Sequence, residues 1–213
     1  MLDLIFYLSG DKIPADHGYH LHSALSELFP FHHNPKIRGD AGVHPIFGIP
    51  CGERMLALNG SSRLILRVEA EKVADYLDLC GKRLNIGGCA VTAGMPSSKK
   101  LVPAAALHSR IVTIKGFTAP EEFLSAAQRQ IDNLGIGGRA CLVARKNSAS
   151  AEGKTDNREK SPYLKRTLSI RGRDIVGFSV AVTELTAEES ILLQTKGIGG
   201  RRSMGCGIFV PLQ

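Results

Sequence analysis

Tryptophan is absent from this 213-residue chain, and aromatic residues make up only 6% of it. Cysteine is sparse as well: five residues, at 51, 80, 89, 141 and 206, with no C-x-x-C among them. That odd, scattered set excludes a disulfide framework and a cysteine zinc site, and it points to a reducing cytoplasm. No apolar run approaches the ~18 residues of a membrane span. The opening MLDLIFYLSGDKIP has no basic region before its apolar stretch and no small-residue cleavage pattern, so it is not read as a signal peptide. The phosphate-binding pattern G-x-x-x-x-G-K-[ST] is missing too.

What is present is an ordinary globular composition, 43% hydrophobic and 22% charged. The length fits one large domain or two small ones and can bury a core without staples. Charge is less ordinary. Twenty-seven Lys and Arg against twenty Asp and Glu leave +7, with a pI near 9.3, a balance that suits a polyanionic partner.

Along the chain, Leu2–Leu8 reads as a strand. Asp16 is placed to cap a helix reaching about Leu28, because Leu21, Leu25 and Leu28 recur at helical spacing. After a polar loop and a short extended piece at His44–Ile49, RLILRV at 63–68 alternates as a half-buried strand. Glu69–Cys80 then reads as one helix facing in through Val73, Tyr76, Leu77 and Cys80, and Arg83–Thr92 as one strand. A second cycle follows. Arg110–Lys115 is a strand, and Thr118 with Glu121 has the spacing of a capping box for a helix over 120–134. Ala140–Arg145 is a strand, 146–162 a polar loop, and 164–170 with 175–185 a β-pair around RGRD. Thr186 and Glu189 repeat the capping-box spacing before a glycine-rich run and a last strand at Ile208–Leu212. Two successive β-α-β-β-α-β passes predict an α+β fold of two tandem ferredoxin-like (RRM-like) domains, 1–102 and 103–213, with a C-terminal glycine-rich loop.

Three features carry chemistry. Six of the seven histidines, 17, 20, 22, 32, 33 and 44, fall in the first 44 residues, and imidazole is the side chain best suited to move protons near neutral pH. His17 falls near the apolar helix face and reads as packed or capping, whereas His22 falls on the polar flank. The spacings of 20/22 and 32/33 do not chelate, so no metal is expected. Next, KGIGGRRSMGCG over 196–207 holds Gly197, Gly199, Gly200, Gly205 and Gly207, whose N–H groups can approach a ligand, beside Arg201 and Arg202, a phosphate-directed pair. The glycines follow a helix and precede a strand, the reverse of the dinucleotide-binding order. Finally, nine basic residues against three acids lie between 145 and 173, including Arg166, Arg171 and Arg173. A basic hairpin tracks phosphates, and scarce aromatics favour shape and phosphate contacts over stacked bases.

The stretches IPADHGYHLHSALSEL and GIGGRRSMGCGIFVP resemble the CRISPR repeat-RNA endoribonucleases, the Cas proteins that cut precursor CRISPR RNA, and are closest to their Myxan-type branch. The likeness spans nearly the whole chain in element order and is specific mainly in those two stretches. It implies paired ferredoxin-like domains and a metal-independent cut within each repeat. There the ribose 2′-OH attacks its own phosphodiester, leaving a 2′,3′-cyclic phosphate and a 5′-OH. In that family the key histidine lies on or just after the first helix. His33 is then the expected proton-transfer residue, His32 its close rival, and His22 a third candidate where relatives often carry tyrosine; His44 stays open. Lys36 and Arg38 would steady the phosphate, and Lys196, Arg201, Arg202 and the loop glycines would bind RNA. No cofactor is expected. The partners are precursor and mature repeat RNA, with other Cas proteins of an effector complex, and no membrane. The competing reading is a non-catalytic subunit that only holds the repeat. A metabolic enzyme would instead need a deep apolar pocket.

Overall fold

The structure is a computed structural model and describes residues 1–34, 41–145 and 161–212, the side chains of His32 and His33 excepted. The first half runs β1 (Leu2–Ser9), β2 (Lys12–Pro14), α1 (Gly18–Leu28), β3 (Gly42–Val43), β4 (Ile49–Pro50), β5 (Met55–Ala57), β6 (Arg63–Val68), α2 (Val73–Tyr76), β7 (Arg83–Ile86) and β8 (Cys89–Lys100). Strand β1 alternates as its sequence demands: Leu4, Phe6 and Leu8 are buried, while Tyr7 faces away. It sits at the centre of an antiparallel sheet ordered β3-β6-β1-β8-β7. Leu21 and Leu25 of α1 join the buried cluster beneath that sheet.

The second half runs β9 (Leu107–Val112), α3 (Pro120–Asn133), β10 (Arg139–Leu142), β11 (Lys165–Ile170), β12 (Arg173–Thr183), α4 (Ala187–Lys196) and β13 (Val210–Pro211). Its sheet is ordered β10-β12-β9-β13, with β11 pairing the early part of β12. Phe123, Ala127 and Ile131 of α3 pack into a separate core, Phe123 tilted against Phe178 at 4.8 Å. Taking β1, β3, β6 and β8 as one set and β9, β10, β12 and β13 as the other, both halves have the same strand order, and the chain is a tandem ferredoxin-like α+β fold.

Several local expectations change. Glu69–Cys80 is three short turns rather than one helix: 3-10 at Ala70–Lys72, then α2, then 3-10 at Leu77–Leu79. A spacing of three puts Tyr76 and Leu79 inside and leaves Leu77 44% exposed. Tyr76 earns its burial edge-on against Phe29 and Phe31. The strand expected over Arg83–Thr92 is a hairpin, because Gly87 and Gly88 both take positive φ, 60° and 87°. Thr118 does not cap α3; Ala119 is the N-cap and Pro120 opens the helix. Asp16 does not cap α1 either, since its carboxylate accepts the Ser169 N–H at 2.7 Å across the two halves. The capping box at Thr186 and Glu189 is present as read. The polar loop expected over 146–162 falls almost entirely outside the described residues.

Candidate functional site

The two halves meet through a buried ionic network. Arg67 on β6 is 1% exposed. Its Nε and Nη2 donate to the two carboxylate oxygens of Asp3 at 2.7 and 3.0 Å. Its Nη1 donates to the carbonyls of Gln194 and Phe209 at 3.0 and 2.7 Å, both in the second half. His44 Nε2 lies 3.4 Å from the same carboxylate. Burial alone would raise the Asp3 carboxyl, but the nearby His44 imidazole and the hydrogen-bonded Arg67 guanidinium outweigh it and hold it well below the usual carboxylate range. Burial pushes the His44 imidazole down, against the pull of Asp3 and with the help of Arg67.

Beside this network a cleft of about 260 Å³ opens between the halves. The N-terminal turn of α1 (His17, Gly18, Leu21), the segment Val43–Pro45 and Arg54 form one wall. Arg110, the β11 residues Lys165 to Leu168 and the loop Met204–Cys206 form the other. Four cations, Arg54, Arg110, Lys165 and Arg166, face one carboxylate, Asp16, which is already engaged by Ser169. Burial, with Arg166 beside it, pulls the Arg110 guanidinium down from its usual value, and Asp16 only partly opposes that. The Arg166 Nε is buried with no hydrogen-bond partner among the described residues. Such a group of like charges is costly until an anion arrives. Burial raises the Cys206 thiol at the cleft wall to about 11, so it is not a nucleophile.

The turn that supplies Arg54 is strained. Gly52, Glu53 and Arg54 take φ of 85°, 43° and 57° in succession, a conformation unfavourable for the two non-glycine residues. At the other side of α1, Arg171 Nε donates to the Tyr19 hydroxyl at 3.0 Å, so the basic hairpin is seated on the first helix.

The histidines do different work from one another. His17 is packed, as read: its Nδ1 donates to Pro14 O at 3.0 Å and its Nε2 accepts the Ile46 N–H at 2.9 Å, which assigns the tautomer. His22 is not on a polar flank; it and Ser26, one turn on, are 8% and 4% exposed, so packing covers that side of α1. His32 and His33 lie in a 3-10 turn over Pro30–His33, but their side chains, like all of Lys36 and Arg38, are outside the described residues.

The glycine-rich loop departs from its expected use. The N–H groups of Gly197, Gly200, Gly205 and Gly207 donate to Leu193, Thr113, Arg202 and Ile111 carbonyls, and that of Gly199 to Gln130 Oε1 at 2.7 Å. A Cβ on Gly197 or Gly207 would fall 2.2 Å from a backbone oxygen, so glycine there serves close packing of the loop on itself. Arg202 clasps the loop, with Nη1 donating to Gly207 O and Nη2 to Thr195 O at 3.1 and 2.8 Å. Arg201, held in the left-handed region at φ 64°, reaches Thr113 Oγ1 at 3.4 Å. Arg171, Arg173 and Lys196 are exposed. Sequence reasoning missed Arg54, Arg110 and Tyr19. The alternation of β9 could have flagged Arg110 as facing away from the core; nothing local flagged the other two. Among the described residues no three His, Cys, Asp or Glu side chains converge as metal ligands, and no helix is long and apolar enough to cross a membrane.

Comparison with known proteins agrees with this architecture. The sequence profile of the family described as Cas6 Crispr matches residues 2–213. A protein named CRISPR-associated endonuclease Cas6, from Myxococcus xanthus (strain DK1622), is 35% identical over 210 residues, 99% of this chain and 81% of that protein. The solved structure of a CRISPR associated protein Cas6 superposes with a TM-score of 0.68 at 12% identity, covering 100% of this chain and 99% of that one. Another, titled "An RAMP protein binding different RNA substrates", gives 0.66 at 12% identity, covering 100% of each chain. At those identities the two structures speak for the fold alone.

Proposed function

The chain belongs to the Cas6 family, and from that premise we propose that it is a metal-independent endoribonuclease that cleaves precursor CRISPR RNA once within each repeat. The observation that carries this reading is the cleft between the halves, where four cations meet a single, already occupied carboxylate. The printed name of the Myxococcus xanthus relative, an endonuclease, agrees with it.

The chemistry needs a base to take the 2′-OH proton, an acid for the departing 5′-oxygen, and cations for the charge that builds on the phosphorane. Arg110 and Arg166, already desolvated, fit the last role, with Arg54 and Lys165 at the rim. His33 is assigned the proton transfer, with His32 its rival; both sit in the turn that leaves α1. His22, buried, is the weaker candidate. Lys36 and Arg38 remain assigned to the phosphate. Arg171, Arg173, Lys196 and Arg201 track the RNA outside the cleft, and the glycines and Arg202 fix the loop's shape. The products are a 2′,3′-cyclic phosphate and a 5′-OH, with the cut RNA retained for other Cas proteins. The halves act as domains 1–102 and 103–213, in a reducing cytoplasm that keeps all five cysteines free.

The test is incubation with repeat RNA of the protein's own locus in EDTA, with the product ends identified. A single cut leaving a cyclic phosphate is expected, and His33→Ala should remove it while affinity stays within a few-fold. Loss of cutting in chelator would overturn the metal-free mechanism, and tight binding without any cut would make the chain an RNA-holding subunit.

A further inference from the structure

The outer face of the first sheet carries a feature that the cleft does not use. In β1, Asp3, Ile5 and Tyr7 point away from the core, opposite Arg67, Ile65 and Arg63 of β6. Directly opposed residues of an antiparallel pair share a face. The Asp3–Arg67 row is closed by the second half. From there the face runs outward over Ile5 and Ile65 to Tyr7 and Arg63, then to Ser9, Thr92 and Arg83. No acid occurs among those seven positions.

Tyr7 is 52% exposed in the middle of a sheet. The Arg63 guanidinium lies 3.8 Å from the centre of its ring. That guanidinium is held there by two further hydrogen bonds, from Nη1 to the carbonyls of Gly60 and Ser62 at 2.7 and 2.8 Å. A surface arginine ordinarily keeps its rotamer freedom; this one has already given it up. The result is a half-exposed ring with a fixed cation against one face. A ring of this kind stacks any base without regard to sequence, and the adjacent charges, Arg63 and Arg83, suit a phosphate backbone.

We propose that Tyr7 and Arg63 form a second RNA contact, on which one unpaired base of the substrate strand stacks. The scarcity of aromatics argues against a row of stacked bases, not against one. The inference rests on the reading of the chain as a repeat-RNA-binding protein, and its test separates the two. Affinity for the repeat RNA of the chain's own locus is measured for the wild type, Tyr7→Ala and Tyr7→Phe. Tyr7→Ala should weaken binding about tenfold, and Tyr7→Phe, which keeps the ring, should stay within about twofold. Equal affinity of Tyr7→Ala and wild type overturns the stacking contact alone; a wild type that does not bind repeat RNA overturns the RNA reading and this contact with it. If Tyr7→Ala does not fold, the wild type is irradiated with repeat RNA carrying 5-iodouridine: a crosslink at Tyr7 is expected, and its absence overturns the contact.

Discussion

The junction between the halves gathers charge in two places, side by side, and treats them in opposite ways. Around Arg67 every charge has a partner: two carboxylate oxygens and two carbonyls occupy the guanidinium, and the guanidinium occupies its counter-ion, with the His44 imidazole 3.4 Å from the carboxylate. In the cleft beside it, Arg110 and Arg166 line the same space as one carboxylate, itself bound to a backbone N–H, and the Arg166 Nε has no partner among the described residues. The first arrangement closes on itself and needs nothing further. The second is destabilised by its own field until an anion enters. The comparison separates a charge that holds a fold from one that serves a ligand, a distinction that residue type alone does not make.

The largest effect should come from breaking the closed side. Arg67→Met leaves Asp3 buried without its guanidinium and two carbonyls without a donor, and should cost about 3–5 kcal/mol in urea unfolding. Adding Asp3→Leu should recover much of that, because removing both members of a buried pair is far less costly than removing one. A single-variant loss below about 1 kcal/mol would mean that the network does not hold the halves together.

Neither site was as legible beforehand as the fold. The element order, the apolar stripes of α1 and α3 and the Thr186 cap follow from short-range pattern, so the tandem fold could be read from sequence. The Glu69–Cys80 segment could not, because its pattern fits helix and 3-10 alike until Phe29 and Phe31 decide which side of Tyr76 is covered. The site was harder still. Arg67 looks like any outward arginine of an alternating strand, and its partners lie 64, 127 and 142 residues away. Arg202 sits in a run that reads as phosphate-binding, yet its donors close the loop on itself. Only the packing of one half on the other tells such arginines apart.

Removing cations from the open side should have a smaller effect, and of another kind. Arg110→Ala with Arg166→Ala should lower repeat-RNA affinity by about 10- to 100-fold. It should also reduce the slope of log affinity against log salt by about 1 for each phosphate left without its cation. Unfolding free energy should hold or rise, since like charges are being removed. Arg202→Ala sharpens the contrast: it frees the Gly207 and Thr195 carbonyls and should lower stability by about 1–3 kcal/mol while leaving the salt slope unchanged. A flattened slope in that variant would return Arg202 to the RNA surface.

The smallest effect is on acid stability, and it probes the closed side without cutting it. Burial holds the folded pKa of both His17 and His44 below the ordinary value. The unfolded chain therefore takes up their protons first as pH falls. The stability these groups contribute is complete above about pH 6.5 and is lost progressively below it, by at most about 1.4 kcal/mol per pH unit for each histidine. Asp3 has the depressed carboxylate pattern, so its contribution persists to about pH 4 and declines only below that. Urea unfolding at pH 7.5, 6.5 and 5.5 should thus show a decline that begins well before any carboxylate titrates. His44→Gln, which keeps a donor near Asp3 but cannot take up a proton in this range, should flatten that decline by up to one histidine's share. A wild-type profile level down to pH 5 would mean that both imidazoles take up protons in the fold as readily as in the unfolded chain, and the network around Arg67 would then accept a second cation on acidification and no longer be the closed counterpart of the cleft.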